Sequence, residues 1–133
     1  PELPGNVDLA DFQRELRANL PHAVVNTGAF ARVLDQYVDP WNSHLGKEVL
    51  YQHVRLLVPY YSNAVSSDLK VLGKPALIIW GEKDQQNPEK YAARLQREIP
   101  DAQLVLVPNA GHLVLFDAPD NVASALNTFV NKL

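Results

Sequence analysis

Apolar positions in the first half of the chain recur at helical spacing. Leu9, Phe12, Leu16 and Leu20 share one face, which predicts an amphipathic helix ended by Pro21. Phe30, Val33, Leu34, Tyr37 and Val38 mark a second, shorter face, closed by Pro40 and Trp41. Beyond Gly46 a third face carries Val49, Leu50, His53, Val54 and Leu57, and it breaks at Pro59. Ser66, Ser67 and Asp68 then read as an N-terminal cap for a last helical turn ending at Gly73.

The pattern changes at Pro75. Ala76 to Trp80 is a continuous apolar run stopped by Gly81, as expected of a parallel strand buried on both faces. Pro88 to Ile99 returns to helical spacing, with Tyr91, Leu95 and Ile99 on one stripe and Pro88 in the first turn. After a turn at Pro100 and Asp101, Leu104 to Val107 predicts a second buried strand, stopped by Pro108 and Asn109. Pro119 opens a final helix whose apolar face runs through Val122, Ala125, Leu126, Phe129, Val130 and Leu133. Strand, helix, strand, helix is a β-α-β unit with one more helix.

Composition narrows the classes. Hydrophobic residues make up 47% and charged residues 20%, an ordinary globular balance. A formal charge of −3 leaves no basic stripe to neutralise phosphates, so nucleic acid is not an expected partner. No apolar run approaches the roughly 20 residues that span a bilayer, so no membrane is expected either. Cysteine is absent, which removes disulfides and thiolate ligands, and a cytoplasmic location fits. Methionine is absent too and the chain opens at Pro1, so either an initiator was trimmed or Pro1 is an internal position of a longer protein, the reading that the family resemblance below favours.

The chemistry concentrates behind the two strands. A right-handed crossover leaves the C-terminal ends of two parallel strands on one edge, about 4.8 Å apart if they are neighbours. Asp84 follows the first strand and His112 the second, in Asn109-Ala110-Gly111-His112. Both then reach the rim where open α/β sheets bind ligands. An acid on one imidazole nitrogen fixes the tautomer and leaves the other nitrogen as general base. Singly, an Asp after a strand or a His in a loop is commonplace; the pair in this placement is not. His53 reads as a packed or rim histidine, His22 and His44 as solvated. The four histidines are too scattered for metal-ligand spacing, so neither metal nor cofactor is expected. Trp41, Tyr60 and Tyr61 read as helical core or cleft lining, and Glu82 and Lys83 as solvated turn charges.

Trp80-Gly81-Glu82-Lys83-Asp84, Pro88, Ile99-Pro100, Ala102, Val107-Pro108, Ala110-Gly111-His112 and Asp117-Ala118-Pro119 together resemble the last two strands of the α/β-hydrolase superfamily. The triad order there is nucleophile, acid, histidine, and Asp84 before His112 obeys it. The resemblance implies an α/β fold: a helical cap over residues 1–72, followed by the C-terminal β-α-β-α part of the hydrolase core over 73–133. The stretch from Asp39-Pro40-Trp41 to Tyr60-Tyr61 is loosely similar to caps of the haloalkane dehalogenase and epoxide hydrolase branch.

The departures from that family matter as much. Neither G-x-S-x-G nor G-x-D-x-G occurs, and Ser43, Ser62, Ser66, Ser67 and Ser124 all lack flanking glycines. The resemblance therefore implies a C-terminal fragment or truncated form that supplies Asp84 and His112, with nucleophile and oxyanion hole outside this chain. Its partners would be a small-molecule substrate and the N-terminal half of a hydrolase, docked on the strand edge from Leu77 to Trp80. The alternative is a non-catalytic module that associates with a second copy through that edge. Either way, association beyond the monomer is expected.

Overall fold

The structure, a computed structural model, describes residues 7–57 and 59–133, without the side chains of residues 59–62. Its sheet consists of β1 (Leu77–Gly81) and β2 (Gln103–Val107), paired in parallel with Leu77 opposite Gln103 and Gly81 opposite Val107. The crossover is α6 (Lys90–Glu98), and α8 (Pro119–Val130) also packs on both strands. The order and parallel pairing follow the apolar runs in the sequence.

Burial does not follow them as fully. The runs predict strands buried on both faces, yet Leu77 to Trp80 are only partly buried and Leu106 is 37% exposed. The physical reason is width: among the described residues the sheet has two strands, so each has an outer edge without a partner strand. Leu126, Val130 and Leu133, placed on the apolar face of the last helix, are exposed as well. The predicted stripe of α6 is also shifted, since Ala92 and Ile99 are buried while Tyr91 lies outside under the Lys90 ammonium.

The first half is helical. α1 (Leu9–Asn19) runs into a 3-10 turn at Leu20–Ala23 that contains Pro21. The second predicted face is divided into α2 (Thr27–Ala31), capped by the Asn26 side chain, and α3 (Leu34–Val38). Phe30 and Val38 are nonetheless fully buried, so two short helices deliver the face that one was expected to carry. α4 (His44–Leu56) starts before Gly46, because the Ser43 hydroxyl accepts the Gly46 N–H and caps it. Its expected apolar face is partly solvated, with Val54 and Leu57 exposed.

α5 (Pro59–Ser66) follows, placing Ser66 inside a helix rather than at a cap. Ser67 flanks the next 3-10 turn, Asp68–Val71, but makes no capping bond to it. Gly73 sits at φ +57, the left-handed turn that glycine accommodates. None of the described helices is long and apolar enough to cross a membrane.

Two cores result. Phe12, Ala23, Val24, Phe30 and Val38 are buried among the first helices, and Ala92, Ile99, Val107, Ala110 and Val122 around the sheet. Gly81 is where β1 meets the loop behind β2. A Cβ there would lie 2.3 Å from the Gly111 carbonyl oxygen and 2.4 Å from that of Ala110. Gly81→Ala is therefore expected to destabilise the fold by about 1–3 kcal/mol or more. Gly28→Ala, at a helical glycine with nothing within 4 Å of the added carbon, is expected to be neutral or to stabilise by about 0.5–1 kcal/mol. Urea unfolding followed by circular dichroism reads both; equal midpoints for the two variants would contradict this packing.

Candidate active site

Asp84 is placed by the turn that leaves β1. Glu82 N–H donates to the Val107 carbonyl, Lys83 N–H to that of Ala110, and Asp84 N–H to that of Gly81. These bonds fasten the turn to the loop behind β2. The Asp84 carboxylate is then divided between two tasks. Oδ1 accepts the N–H groups of Gln86 (2.9 Å) and Asn87 (2.8 Å), which folds the loop back on itself. Oδ2 faces His112 Nδ1 at 2.9 Å. The Trp80 indole adds a latch by donating to the Asn87 carbonyl at 2.8 Å. Glu82 and Lys83 themselves are exposed, as turn charges should be.

His112 is presented by the loop after β2. Asn109 turns the chain at φ 55, a conformation that asparagine tolerates better than most residues. Ala110 and Gly111 are buried against Gly81, and the Leu113 N–H donates to the Ala23 carbonyl at 2.8 Å. The Asp84 side chain is 5% exposed and that of His112 38%, so the acid lies inside and the imidazole reaches the surface. An ionised carboxylate only accepts, so Nδ1 carries the proton and Nε2 keeps a free lone pair. The Asn87 amide nitrogen lies 3.5 Å from the same Nδ1, but it is a donor and cannot take the proton that Nδ1 gives to the carboxylate. That is the geometry of an oriented base.

Asp84, His112, Gly81, Trp80, Ile79 and Val114 line a cleft of about 170 Å³. A larger hollow, about 430 Å³, lies at the other end of the strands between Lys74, Pro100, Gln103 and Lys132, without an acid–base pair. Chemistry rather than size selects the smaller one. His22, His44 and His53 are exposed, and His53 stands edge-on to Trp41 with ring centres 6.3 Å apart. The expected cleft roles of Tyr60 and Tyr61 fall on side chains outside the described residues. Among the described serines, Ser43 caps α4 and the Ser66 hydroxyl donates to the Asn63 carbonyl; none hydrogen-bonds to His112.

Sequence reasoning missed one side chain that bears on the site. α7 (Val114–Asp117) is a single turn, and its last residue sends a carboxylate back to the Gly111 N–H at 2.8 Å. The same carboxylate accepts from Val25 and Asn26, far away in sequence. In the sequence Asp117 stands out only as part of Asp117-Ala118-Pro119. Nothing in local spacing announces a partner some ninety positions upstream.

The family model described as the Alpha/beta hydrolase family matches residues 2–125, and the chain belongs to that family. It is 46% identical over 54 residues to haloalkane dehalogenase 2 of Mycobacterium bovis, which covers 40% of this chain and 19% of that protein. It is 36% identical over 62 residues to the uncharacterized hydrolase YugF of Bacillus subtilis, covering 47% of this chain and 23% of that one. A solved α/β-hydrolase-fold protein from Burkholderia ambifaria superposes with a TM-score of 0.80 at 26% identity, over 91% of this chain and 44% of that chain. The chain thus matches less than half of that structure and about a fifth of those curated relatives. Its fold is the C-terminal part of the α/β-hydrolase fold.

Because Asp84 both folds its own loop and holds the ring, its two oxygens are separable by mutation. Asp84→Ala is expected to lower stability by about 1–3 kcal/mol, since it strips two backbone N–H groups and an imidazole of their acceptor. Asp84→Asn retains one acceptor oxygen for the loop and should cost clearly less. Denaturant unfolding of the two variants checks this; an Asn variant as unstable as the Ala one would remove the loop-folding role.

Proposed function

We propose that this chain supplies the acid, Asp84, and the general base, His112, of a hydrolase triad whose nucleophile and oxyanion hole are contributed by residues outside it. The observation that carries the reading is the 2.9 Å contact from Asp84 Oδ2 to His112 Nδ1 at the C-terminal ends of two paired parallel strands. Acid before histidine is the family's order. Residues 73–133 act as part of the hydrolase core and residues 1–72 as its helical cap.

Nε2 of His112 accepts the proton of an attacking hydroxyl, of a nucleophilic serine or of a water. The imidazolium so formed is stabilised by Asp84 and returns the proton to the leaving group. Ester, epoxide and alkyl halide bonds are all within reach of this base. A nucleophile elbow decides among them, and no stretch of this chain has the elbow's glycine pattern. The substrate class is a small molecule entering the cleft beside His112.

The chain assayed alone is expected to hydrolyse p-nitrophenyl esters no faster than free imidazole, and a fluorophosphonate should label none of its serines. Stoichiometric serine labelling would overturn the placement of the nucleophile. Supplied with the N-terminal half of a hydrolase of this family, activity should appear. His112→Ala should then lower turnover by on the order of 10⁴ or more. Asp84→Asn should cost somewhat less if the ring keeps its place, and unchanged turnover would mean that the acid lies elsewhere.

A second reading, a non-catalytic module that associates with its own copies, is favoured by the apolar edge of β1, which has no partner strand among the described residues. On either reading the chain alone should sediment as more than one chain at micromolar concentration. If association persists unchanged when the N-terminal half is added and no activity appears, the second reading stands. A mass of one chain would remove the second reading and contradict the association expected on the first.

A further inference from the structure

We propose that Asp117 is a positioning residue for His112, holding the base loop against the segment from Ala23 to Asn26 so that the imidazole keeps its contact with Asp84. The proposal rests on the acid–base reading of that pair but is argued from different contacts. None of the Asp117 hydrogen bonds goes to the ring itself. The carboxylate acts through the backbone on either side.

A carboxylate offers about four acceptor sites. Asp117 spends them on two segments at once. Oδ2 accepts Gly111 N–H at 2.8 Å and Val25 N–H at 2.9 Å, while Oδ1 accepts Asn26 N–H at 3.0 Å. Bonds from N–H groups to an ionised oxygen are roughly twice as strong as neutral ones. The N–H on the other side of His112, that of Leu113, is bound to the Ala23 carbonyl. The residues on both sides of His112 are therefore anchored through their N–H groups, Gly111 by the Asp117 carboxylate and Leu113 by the segment that this carboxylate also grips.

The approach is close enough to need a glycine. A Cβ on Gly111 would lie 2.9 Å from the Ala23 carbonyl oxygen. The turn of α7, with the N–H groups of Phe116 and Asp117 bound to the Leu113 carbonyl, folds the carboxylate back over the loop. The Phe116 ring packs edge-on against buried Phe30 of α2, ring centres 5.2 Å apart, and fixes α7 to the first half. Removing the carboxylate frees Gly111 and leaves the Ala23–Leu113 bond as the remaining backbone tie between segment and loop. Small displacements of a catalytic group cost large factors in rate.

The test reads the ring directly. In the chain as it stands, ¹⁵N spectra of His112 at a pH where the imidazole is neutral should show the Nδ1–H tautomer dictated by Asp84. Asp117→Asn, which keeps the side chain's shape but points an NH₂ at an N–H donor, should shift this to a mixture of tautomers. It should also speed amide exchange at Gly111, Val25 and Asn26 by at least about tenfold. Asp117→Glu, which keeps the carboxylate, should restore part of the wild-type spectrum. In the enzyme complemented by an N-terminal half, Asp117→Asn should lower kcat by about 10- to 100-fold with KM little changed.

A purely structural role would lower the unfolding midpoint and leave the tautomer of the folded protein alone. An unaltered His112 spectrum in folded Asp117→Asn overturns the proposal whatever hydrolysis shows. Full hydrolysis by His112→Ala would instead sink the triad reading and leave the spectral result standing. Should Asp117→Asn fail to fold, wild-type exchange decides: Gly111 protected together with Val25 and Asn26 supports the clamp, and a Gly111 amide exchanging at a free-loop rate overturns it.

Discussion

The contact on which the site depends is backbone against backbone, where Gly81 closes β1. The carbonyls of Ala110 and Gly111 occupy the space that any Cβ would need. That approach lets Lys83 N–H reach Ala110, which in turn sets the turn carrying Asp84 beside the loop carrying His112. The parallel register brings Gly81 opposite Val107, so both loops start from the same level of the sheet. A carboxylate with little exposure and a ring with more are then joined at 2.9 Å. The carboxylate is desolvated where hydrogen bonds compensate it, and His112 lines the cleft.

A second layer of constraint comes from the first half of the chain. The 3-10 turn at Leu20–Ala23 and the segment behind it carry Ala23 and Val24, both buried, onto the loop that presents His112. Backbone donors of that segment end on a carboxylate from the far end of the chain. The helical half is thus joined to the chemistry by hydrogen bonds as well as by the Phe30–Phe116 contact. A shared fastening of this kind ties the position of the His112 loop to how the first half is seated.

The apolar surface left uncovered has one common feature. Among the described residues, Leu106, Leu115, Leu126 and Val130 are exposed around a sheet of two strands, and Leu45, Leu56 and Leu57 on or beside α4. The fold that the chain matches extends over more than twice its length. Faces that the runs of apolar residues encode for burial find too little to pack against within these residues. The larger hollow between Lys74 and Lys132 sits at the opposite end of the strands from Asp84 and His112.

Much of this was legible in the residues themselves. The parallel β-α-β order, the last helix and the meeting of Asp84 with His112 follow from apolar periodicity and from the rule that a right-handed crossover aligns strand ends. Those signals are local or topological, and a single sequence carries them. Tertiary structure decided what depends on distant partners. It shortened the helices around Phe30 and Val38, half-exposed both strands, and left the α4 face at Val54 and Leu57 in solvent. It alone brought Asp117 to Val25 and Asn26. Burial and long-range hydrogen bonds are properties of which surfaces meet, and an aspartate one turn beyond a histidine looks the same in sequence whether its oxygens face water or hold two segments together.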